Sequence, residues 1–348
     1  TPRTDLLSSS PPPPPPPLPP VAMLQVGDEA LDFSVLFLLV FGLSRSAAGS
    51  SLLTASLYVF VVMFRFPPVP ADRAGRVLRP RSLSGGVPVV AHRGGGHDAP
   101  ENTVAAIREA SRNGATGVEL DLSFSSDGVP VLMHDETVDR TTNGSGPVSK
   151  LQFVQLRRLD ASARHRDRFS GEKVPTLQEA VQECIKHQMV IFFDVKAASA
   201  ASFPPPRNES IFVFLIPPIL LGLTLVGPQM RQTDPSVVTA LTHRPWRLSR
   251  FGDGTPRTLS TWGQLWTGLL DILLDWAHHH ILWKLCGISA ILVQKDFISH
   301  DYVQYWAERG VEVVGWTVNT AVEKDYYQNV LKISYITDSL LEDCDPHL

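Results

Sequence analysis

Cysteine is scarce in this chain of 348 residues, which contains only Cys184, Cys286 and Cys344. An odd number of widely spaced cysteines builds neither a disulfide framework nor a cysteine zinc site. We therefore expect the three cysteines to be buried and to pack as small hydrophobic side chains. The chain also lacks an excess of positive charge, because its formal net charge is −4 at pH 7. Surfaces that bind nucleic acid are normally basic, and we therefore expect no nucleic-acid partner.

Proline, by contrast, is abundant and unevenly distributed. A polyproline tract at residues 11–17 cannot join a packed core. The first methionine is Met23. We interpret residues 1–22 as a disordered, low-complexity leader, either translated sequence or an artefact of gene prediction.

An apolar stretch at residues 33–64 predicts a membrane segment. A bilayer span takes about 20 apolar residues. Residues 47–64 approach that length and residues 35–43 do not, so one tilted span and a tight hairpin both fit. A cleaved signal peptide is an alternative, because residues 46–49 resemble a small-residue cleavage site. The second apolar run favours a retained anchor.

Two signals disagree about the orientation of this segment. Arginines follow the apolar stretch and acidic residues precede it, which by the positive-inside rule places most of the chain in the cytosol. Two N-glycosylation sequons, at Asn143 and Asn208, indicate a glycoprotein on the opposite side of the membrane.

After a predicted linker at residues 65–87, the domain at 88–348 alternates short apolar strands with helices. This alternation predicts parallel strands with helices outside, and eight strands would close an α/β barrel of the TIM type, (β/α)8. Seven strands are recognisable, at residues 89–92, 117–122, 190–195, 237–241, 290–293, 311–318 and 335–337. Helices are predicted between them, for example at residues 103–112, 177–187 and 301–309.

One apolar run does not fit the alternation. Residues 129–134 follow the strand at 117–122 after too few residues for a parallel crossover. We therefore predict an antiparallel hairpin that folds His134 back over the end of that strand.

The eighth strand and its helix should occupy residues 198–228, where the sequence looks unrelated to the rest, as from a splicing or gene-model error. Prolines there forbid a long helix, and residues 211–216 are a candidate replacement strand. A barrel that lacks one strand exposes two edges. The sequence thus predicts a complete set of site residues on a compromised fold.

A further apolar stretch at residues 262–285 contains acidic and basic side chains, which are costly in lipid. We predict an amphipathic helix, partly buried or interfacial. Its consecutive histidines, His278, His279 and His280, point in different directions on a helix, so we expect a structural or solvated role rather than metal binding.

Acidic side chains recur where the predicted strands end. Glu119 and Asp121 lie two apart on one strand and share a face, and Asp194 ends another strand. Close carboxylates repel each other unless a cation lies between them, and oxygen ligands suit Mg²⁺ or Ca²⁺. Lys196 follows on the same face as Asp194. It either binds a phosphate oxygen as a point charge or forms a structural ion pair with Asp194.

Two histidines also lie at strand ends. One of His92 and His134 can accept a proton while the other donates one, as cleavage of a phosphodiester requires. Arg93 offers a guanidinium fork for phosphate oxygens. Glu101 and Asn102 are expected to position His92, a metal-bound water or substrate hydroxyls, although Asn102 is equally a candidate helix cap.

Several segments, taken together and in order, resemble the glycerophosphodiester phosphodiesterase family. They are Ala91-His92-Arg93-Gly94, Ala99-Pro100-Glu101-Asn102-Thr103, Glu119-Leu120-Asp121-Leu122, the run 127–135, Asp139-Arg140-Thr141-Thr142, Val174-Pro175-Thr176-Leu177, Gly315-Trp316-Thr317-Val318-Asn319 and Ile336-Thr337-Asp338. The resemblance runs from residue 89 to the C terminus except at 198–228. Residues 191–196, 230–234 and 242–246 look like a vertebrate membrane member of the family.

This resemblance implies a TIM-type barrel of the phospholipase-C-like kind and a divalent metal, usually Mg²⁺, with Ca²⁺ or Mn²⁺ as alternatives. Carried over to this chain, the ligands are Glu119, Asp121 and Asp194, although many relatives have Glu at the last position. His92 and His134 take the acid–base roles. Lys196 and Arg93 contact the phosphate.

The resemblance also implies substrates and a location. The substrates are glycerophosphodiesters, with glycerophosphoinositol as the main expectation, and lysophospholipids including N-acylethanolamine types. The location is a plasma, endoplasmic reticulum or vesicle membrane, with membrane lipid as a partner and the catalytic domain lumenal or extracellular. Two alternatives stay open: a catalytically impaired, membrane-anchored interaction protein, and a phosphatidylinositol-type phospholipase C.

Overall fold

A computed structural model describes residues 21–80, 86–163, 165, 167–195, 212–216 (backbone only) and 237–344. The predicted leader up to residue 20, Lys196 and most of the segment 198–228 lie outside the described residues. The chain divides into two compact units, Thr1–Tyr58 and Val59–Leu348, which are described in turn.

The first unit contains helix α1 (Val21–Ser44) and the start of helix α2 (Ala47–Phe64). Between the helices Arg45 has a positive φ of 52°, which interrupts the helical path. By length and composition α2 is a candidate membrane span, whereas the apolar part of α1, Phe33–Gly42, is shorter. The helices therefore agree with a membrane segment that contains one candidate span.

The second unit is built on eight parallel strands that form a closed ring. Numbered along the chain they are β1 (Val89–Ala91), β2 (Gly117–Phe124), β4 (Val190–Val195), β5 (Phe212–Ile216), β6 (Val238–His243), β7 (Ala290–Gln294), β8 (Glu312–Trp316) and β9 (Tyr335–Thr337). Around the ring the order is β1-β2-β4-β5-β6-β7-β8-β9, and β9 pairs with β1. The predicted (β/α)8 architecture is confirmed.

Strand β5 confirms the replacement strand predicted at residues 211–216, and it corrects the expectation that two strand edges are exposed. The segment Phe212–Ile216 pairs in parallel with β4 on one side and β6 on the other, so no pair of open edges is left at this point. The expected exposed edges are not found here because a parallel ladder joins backbone groups, and any extended apolar run of sufficient length can supply them.

The predicted hairpin is confirmed. Strand β3 (Pro130–Leu132) runs antiparallel to β2, with Leu122 opposite Leu132. The chain beyond it forms a small excursion with its own apolar cluster, which includes Val131, Met133 and Leu156.

Among the described residues of this unit, one helix precedes the first strand and the others lie between strands in sequence. They are α3 (Ala71–Leu78), α4 (Val104–Arg112), α5 (Phe153–Leu156), α6 (Leu177–Lys186), α7 (Thr261–Ala277), α8 (Trp283–Cys286), α9 (His300–Ala307) and α10 (Ala321–Asp325). Alternate residues of β2 face these helices, since Leu120 and Leu122 share a core with Ile107 of α4 and Ala180 of α6. The remaining strand residues point into the ring.

Helix α3 lies within the segment that the sequence predicted as a linker. Its residues Ala74, Val77 and Leu78 form one buried cluster with the first residues of strands, including Val190 and Val238. The helix therefore covers the amino-terminal end of the strand ring, which leaves the opposite, carboxyl-terminal end for a site.

Helix α7 continues through a π-helical turn, His278–Leu282, into α8. This run matches the amphipathic helix predicted at residues 262–285. His278 and His279 each bond through Nδ1 to the backbone oxygen four residues earlier, at 2.7 and 2.8 Å. These bonds agree with the structural role expected for the histidines.

Candidate functional site

Three carboxylates meet at the carboxyl-terminal end of the ring. Glu119 and Asp121 point inward from β2, since Leu120 and Leu122 face the helices, and Asp194 is the register partner of Asp121 on β4. One oxygen of each carboxylate lies within 4.8 Å of the others. The sequence-predicted ligands are therefore brought together.

The electrostatics of this cluster favour a bound cation. Burial raises the pKa of Glu119, and the charges of Asp121 and Asp194 raise it further, to about 8. The part of this shift that Asp121 and Asp194 cause means that the three carboxylates repel each other when all are ionised. A donor set made only of carboxylate oxygens fits a hard divalent cation, so the residues fit the metal that the sequence implied.

His92 lies beside this cluster, in a short 3-10 turn directly after β1. Its Nε2 is 3.8 Å from Oε2 of Glu119, and its Nδ1 is 2.5 Å from Oδ1 of Asp338. Burial lowers the pKa of His92, but the bond to Asp338 and the charges of Asp338 and Glu119 outweigh that effect and raise it. The imidazole is thus oriented by its neighbours, which favour its protonated form.

Asp338 follows β9 and is itself held in place. Its backbone N–H donates to Oδ1 of Asn319 at 2.9 Å, and its Oδ2 accepts from Nδ2 of Asn319 at 2.7 Å. Both residues are almost completely buried. The carboxylate can therefore fix which nitrogen of His92 faces Glu119.

Arg93 and Asn102 connect the loop after β1 to the ligand strand. The backbone N–H of Arg93 donates to Oε2 of Glu119 at 3.0 Å, and its guanidinium lies 3.2 Å from Glu101 and 3.7 Å from Asp121. Asn102 donates to Oδ2 of Asp121 and accepts its backbone N–H, at 2.8 and 3.0 Å. The loop thereby fixes two of the three carboxylates.

Asn102 is not the helix cap that the sequence allowed. Thr103 caps α4, because its side chain accepts the backbone N–H of Ala106. Asn102 has a positive φ of 57°, a conformation that asparagine tolerates better than most residues. This turn is what directs its amide to Asp121.

His134 belongs to a second network, on the hairpin side. Its Nδ1 lies 2.7 Å from Oδ1 of Asp135. Arg140 donates both to Asp135, at 2.6 and 2.9 Å, and to Glu101, at 2.7 and 2.6 Å. These hydrogen bonds hold the pKa of both carboxyl groups below the usual range. Arg140 thereby links His134 to the loop that carries Arg93.

Four residues of the site were not assigned by the sequence. Asp338, Asn319 and Arg140 lie in the family-like segments but had no role there. Burial lowers the pKa of Arg247, in the loop after β6, and the charge of Asp194 partly offsets that effect. A second guanidinium therefore lies near the carboxylates.

Comparison with known proteins places the chain among one group of enzymes. The model of the glycerophosphoryl diester phosphodiesterase family matches residues 92–342. Glycerophosphodiester phosphodiesterase 1 of Mus musculus is 54% identical over 327 residues, which cover 90% of this chain and 96% of that protein. The protein of the same name from Homo sapiens is 52% identical with the same coverage.

Solved structures agree in fold. A phosphodiesterase of Oleispira antarctica in complex with the product sn-glycerol-3-phosphate aligns with a TM-score of 0.53 and 21% identity, over 74% of this chain and 95% of that chain. A glycerophosphodiester phosphodiesterase of Agrobacterium tumefaciens aligns with a TM-score of 0.53 and 23% identity, over 73% and 96% of the two chains.

Proposed function

The chain belongs to the glycerophosphoryl diester phosphodiesterase family, and on that premise we propose that it hydrolyses glycerophosphodiesters, glycerophosphoinositol foremost, to glycerol 3-phosphate and an alcohol. Its membership confirms the resemblance found in the sequence motifs, including the likeness to a vertebrate member. A phosphoric diester hydrolase is thus established at the level of the family. The head group, and lysophospholipids of the N-acylethanolamine type as further substrates, belong to the proposal.

One observation carries the proposal: the three carboxylates that lie within 4.8 Å of one another are directly beside a histidine held by a buried aspartate. Glu119, Asp121 and Asp194 would hold a divalent cation, in our proposal Mg²⁺ with Ca²⁺ or Mn²⁺ as alternatives, whose charge stabilises the phosphoryl oxygens. Arg93 and Lys196 add positive charge for the same oxygens.

The two histidines divide the proton transfers. Phosphodiester cleavage needs a base for the attacking hydroxyl and an acid for the leaving alkoxide. In our proposal the 2-hydroxyl of glycerol loses its proton to one imidazole and attacks phosphorus, while the other imidazole protonates the departing alcohol. Water then opens the cyclic phosphate with the two roles reversed. Asp338 and Asp135 orient His92 and His134 through their Nδ1 atoms.

The helices and the sequons support a proposal for the location. We infer that α2, the candidate span, anchors the chain in a membrane and that the barrel at 88–348 lies on the lumenal or extracellular side. Asn143 is described in the structure and exposed. A mass decrease of the native protein on treatment with an endoglycosidase would support this orientation, and an unchanged mass would contradict it.

Release of glycerol 3-phosphate from glycerophosphoinositol, measured with and without EDTA, tests the function. We expect EDTA to abolish release and added Mg²⁺ to restore it. Replacing His134 by Ala should lower the rate by about 10²- to 10⁴-fold, the usual contribution of a general acid or base. An unchanged rate would refute the acid–base assignment. A product that keeps its phosphate on inositol would indicate a reaction of the phospholipase C type instead.

A further inference from the structure

Helix α7 carries an apolar face that is exposed to solvent. Its large side chains keep between 45% and 82% of their surface exposed; they are Trp262, Leu265, Trp266, Leu269, Ile272 and Leu273. Their spacing of three and four residues places them on one side of the helix. Asp271, Leu274 and His278 are buried on the other side. A contiguous exposed apolar patch of this kind marks an interaction site.

The loop that precedes α7 is basic. It contains the exposed Arg250 and Arg257, and neither forms a salt bridge with a carboxylate of the described residues. Asp271 fixes this loop to the helix, because its two oxygens accept the backbone N–H groups of Leu248 and Ser249 at 2.8 and 2.9 Å. Arg257 is exposed and lies four residues before α7 begins, so positive charge lies near the end of the helix at which Trp262 starts the apolar face.

The chain that leaves the candidate span reaches the same helical run. Phe66 lies two residues beyond the end of α2, and its backbone N–H donates to the backbone oxygen of Leu285 at 2.9 Å. Leu285 belongs to α8, which continues from α7 through the π-helical turn. A membrane that holds α2 would thus begin close to one end of the run that carries the exposed face.

We propose that the exposed face of α7 lies in the interface of an anionic phospholipid bilayer, the bilayer that also holds α2. Tryptophan side chains favour the headgroup level, leucine and isoleucine enter the acyl boundary, and the arginines contact lipid phosphates. Charge and apolar area together select a lipid surface over a purely apolar protein partner. The inference goes beyond the proposed catalytic activity and does not depend on it, but it rests on the proposed anchoring of α2 in a membrane.

The test measures the depth of single nitroxide labels on the full chain in vesicles of phosphatidylcholine and phosphatidylserine. Labels are placed at Leu265→Cys and, separately, Leu269→Cys, in a Cys344→Ser background because Cys184 and Cys286 are buried. We expect both labels to collide readily with oxygen, which dissolves in lipid, and several-fold less with a water-soluble nickel chelate.

Two matched controls fix the scale. Arg112 lies on α4, which follows β1, and β1 is four strands from β6 in both directions around the ring. A label at Arg112→Cys is therefore on the opposite side of the barrel and should meet the nickel chelate freely. Gln264 is exposed on α7 but faces away from the apolar side, so a label at Gln264→Cys should be less shielded than one at Leu265.

The result that overturns the proposal is equal nickel accessibility at Leu265, Leu269 and Arg112. Low accessibility to both oxygen and nickel overturns it as well, because protein then covers the face, such as a second copy or another segment of the chain. If the cysteine variants fail to fold, brominated lipids replace the labels. They should quench tryptophan fluorescence, and the Trp262→Phe/Trp266→Phe protein should lose most of that quenching, whereas equal quenching contradicts the proposal.

Discussion

The two sides of the barrel treat polar and apolar groups in opposite ways. At the ends of β1, β2, β4 and β9, charged side chains are buried together and hydrogen-bonded to one another. On the side of β6 and α7, buried imidazoles face the barrel and large apolar side chains face outward. The same ring of strands thus supports two regions. We call the end that carries the proposed site the reactive side, and the side of β6 and α7 that carries the exposed apolar face the flank.

The difference shows what the scaffold specifies. The strands fix where a side chain lies and in which direction it points, but not whether its surroundings are polar. On the reactive side Glu119 is buried against two like charges, an arrangement that destabilises the fold and that a structural role does not explain. On the flank no like charges are buried together in α7. Only the inner face of this helix, with Asp271 and Leu274, contacts the barrel.

The largest expected effect is on the reactive side. Replacing His92 by Ala removes one proton-transfer group, so we expect the rate to fall by about 10²- to 10⁴-fold with little change in the thermal midpoint. The matched control is His300→Ala, because His300 is exposed at the start of α9; its rate should stay at the parent value. Similar losses in both variants would show that the assay reports stability rather than chemistry.

A smaller effect is expected for Asp338, which acts through His92. Asp338→Asn keeps the shape but removes the charge that raises the pKa of His92, so that pKa should fall. The limb of the pH–rate profile that belongs to His92 should move to lower pH, and the rate should fall by about 10- to 100-fold, as for other outer partners of site residues. A lower rate on an unmoved profile would mean that Asp338 is only structural.

Much of the reactive side could be predicted from the sequence, because its features depend on residues that are close together along the chain. The period of two along a strand places Glu119 and Asp121 on one face, and a short connection is enough to identify the hairpin that carries His134. Asp194 follows from the same rule applied to a second apolar strand. These features depend on a few neighbouring residues, which a sequence displays directly.

The remaining contacts could not be predicted because they depend on closure of the ring. His92 and Asp338 are 246 positions apart, and they meet only because β9 pairs with β1. Arg140 reaches Glu101 across a loop whose course no periodicity describes. The role of Asn102 depends on a positive φ. The sequence identified residues 211–216 as a candidate strand, but the pairing of that strand with both neighbours depends on the course of the whole ring.

Away from the site residues, substitutions should change the stability of the fold and leave catalysis intact. The clearest case in the core is Gly315 of β8, because a Cβ atom there would overlap the ring of Tyr327, which is buried. We expect Gly315→Ala to cost about 1–3 kcal/mol, as overpacking of a core does. The readout is a lower thermal midpoint in nanodiscs at an unchanged metal requirement. A midpoint equal to that of the parent would show that the ring moves aside freely.

The smallest effect is expected at Gly268, which sits inside α7 with no atom within 4 Å of an added Cβ. Glycine in a helix is less favourable than alanine by about 1 kcal/mol because its backbone loses more freedom on folding. Gly268→Ala should therefore raise the thermal midpoint slightly and leave the release of glycerol 3-phosphate unchanged. The paired comparison with Gly315→Ala separates helix propensity from core packing on one side of the barrel. A lower midpoint for Gly268→Ala would mean that the helix is closely covered there, and the contrast between an open flank and a filled core would fail.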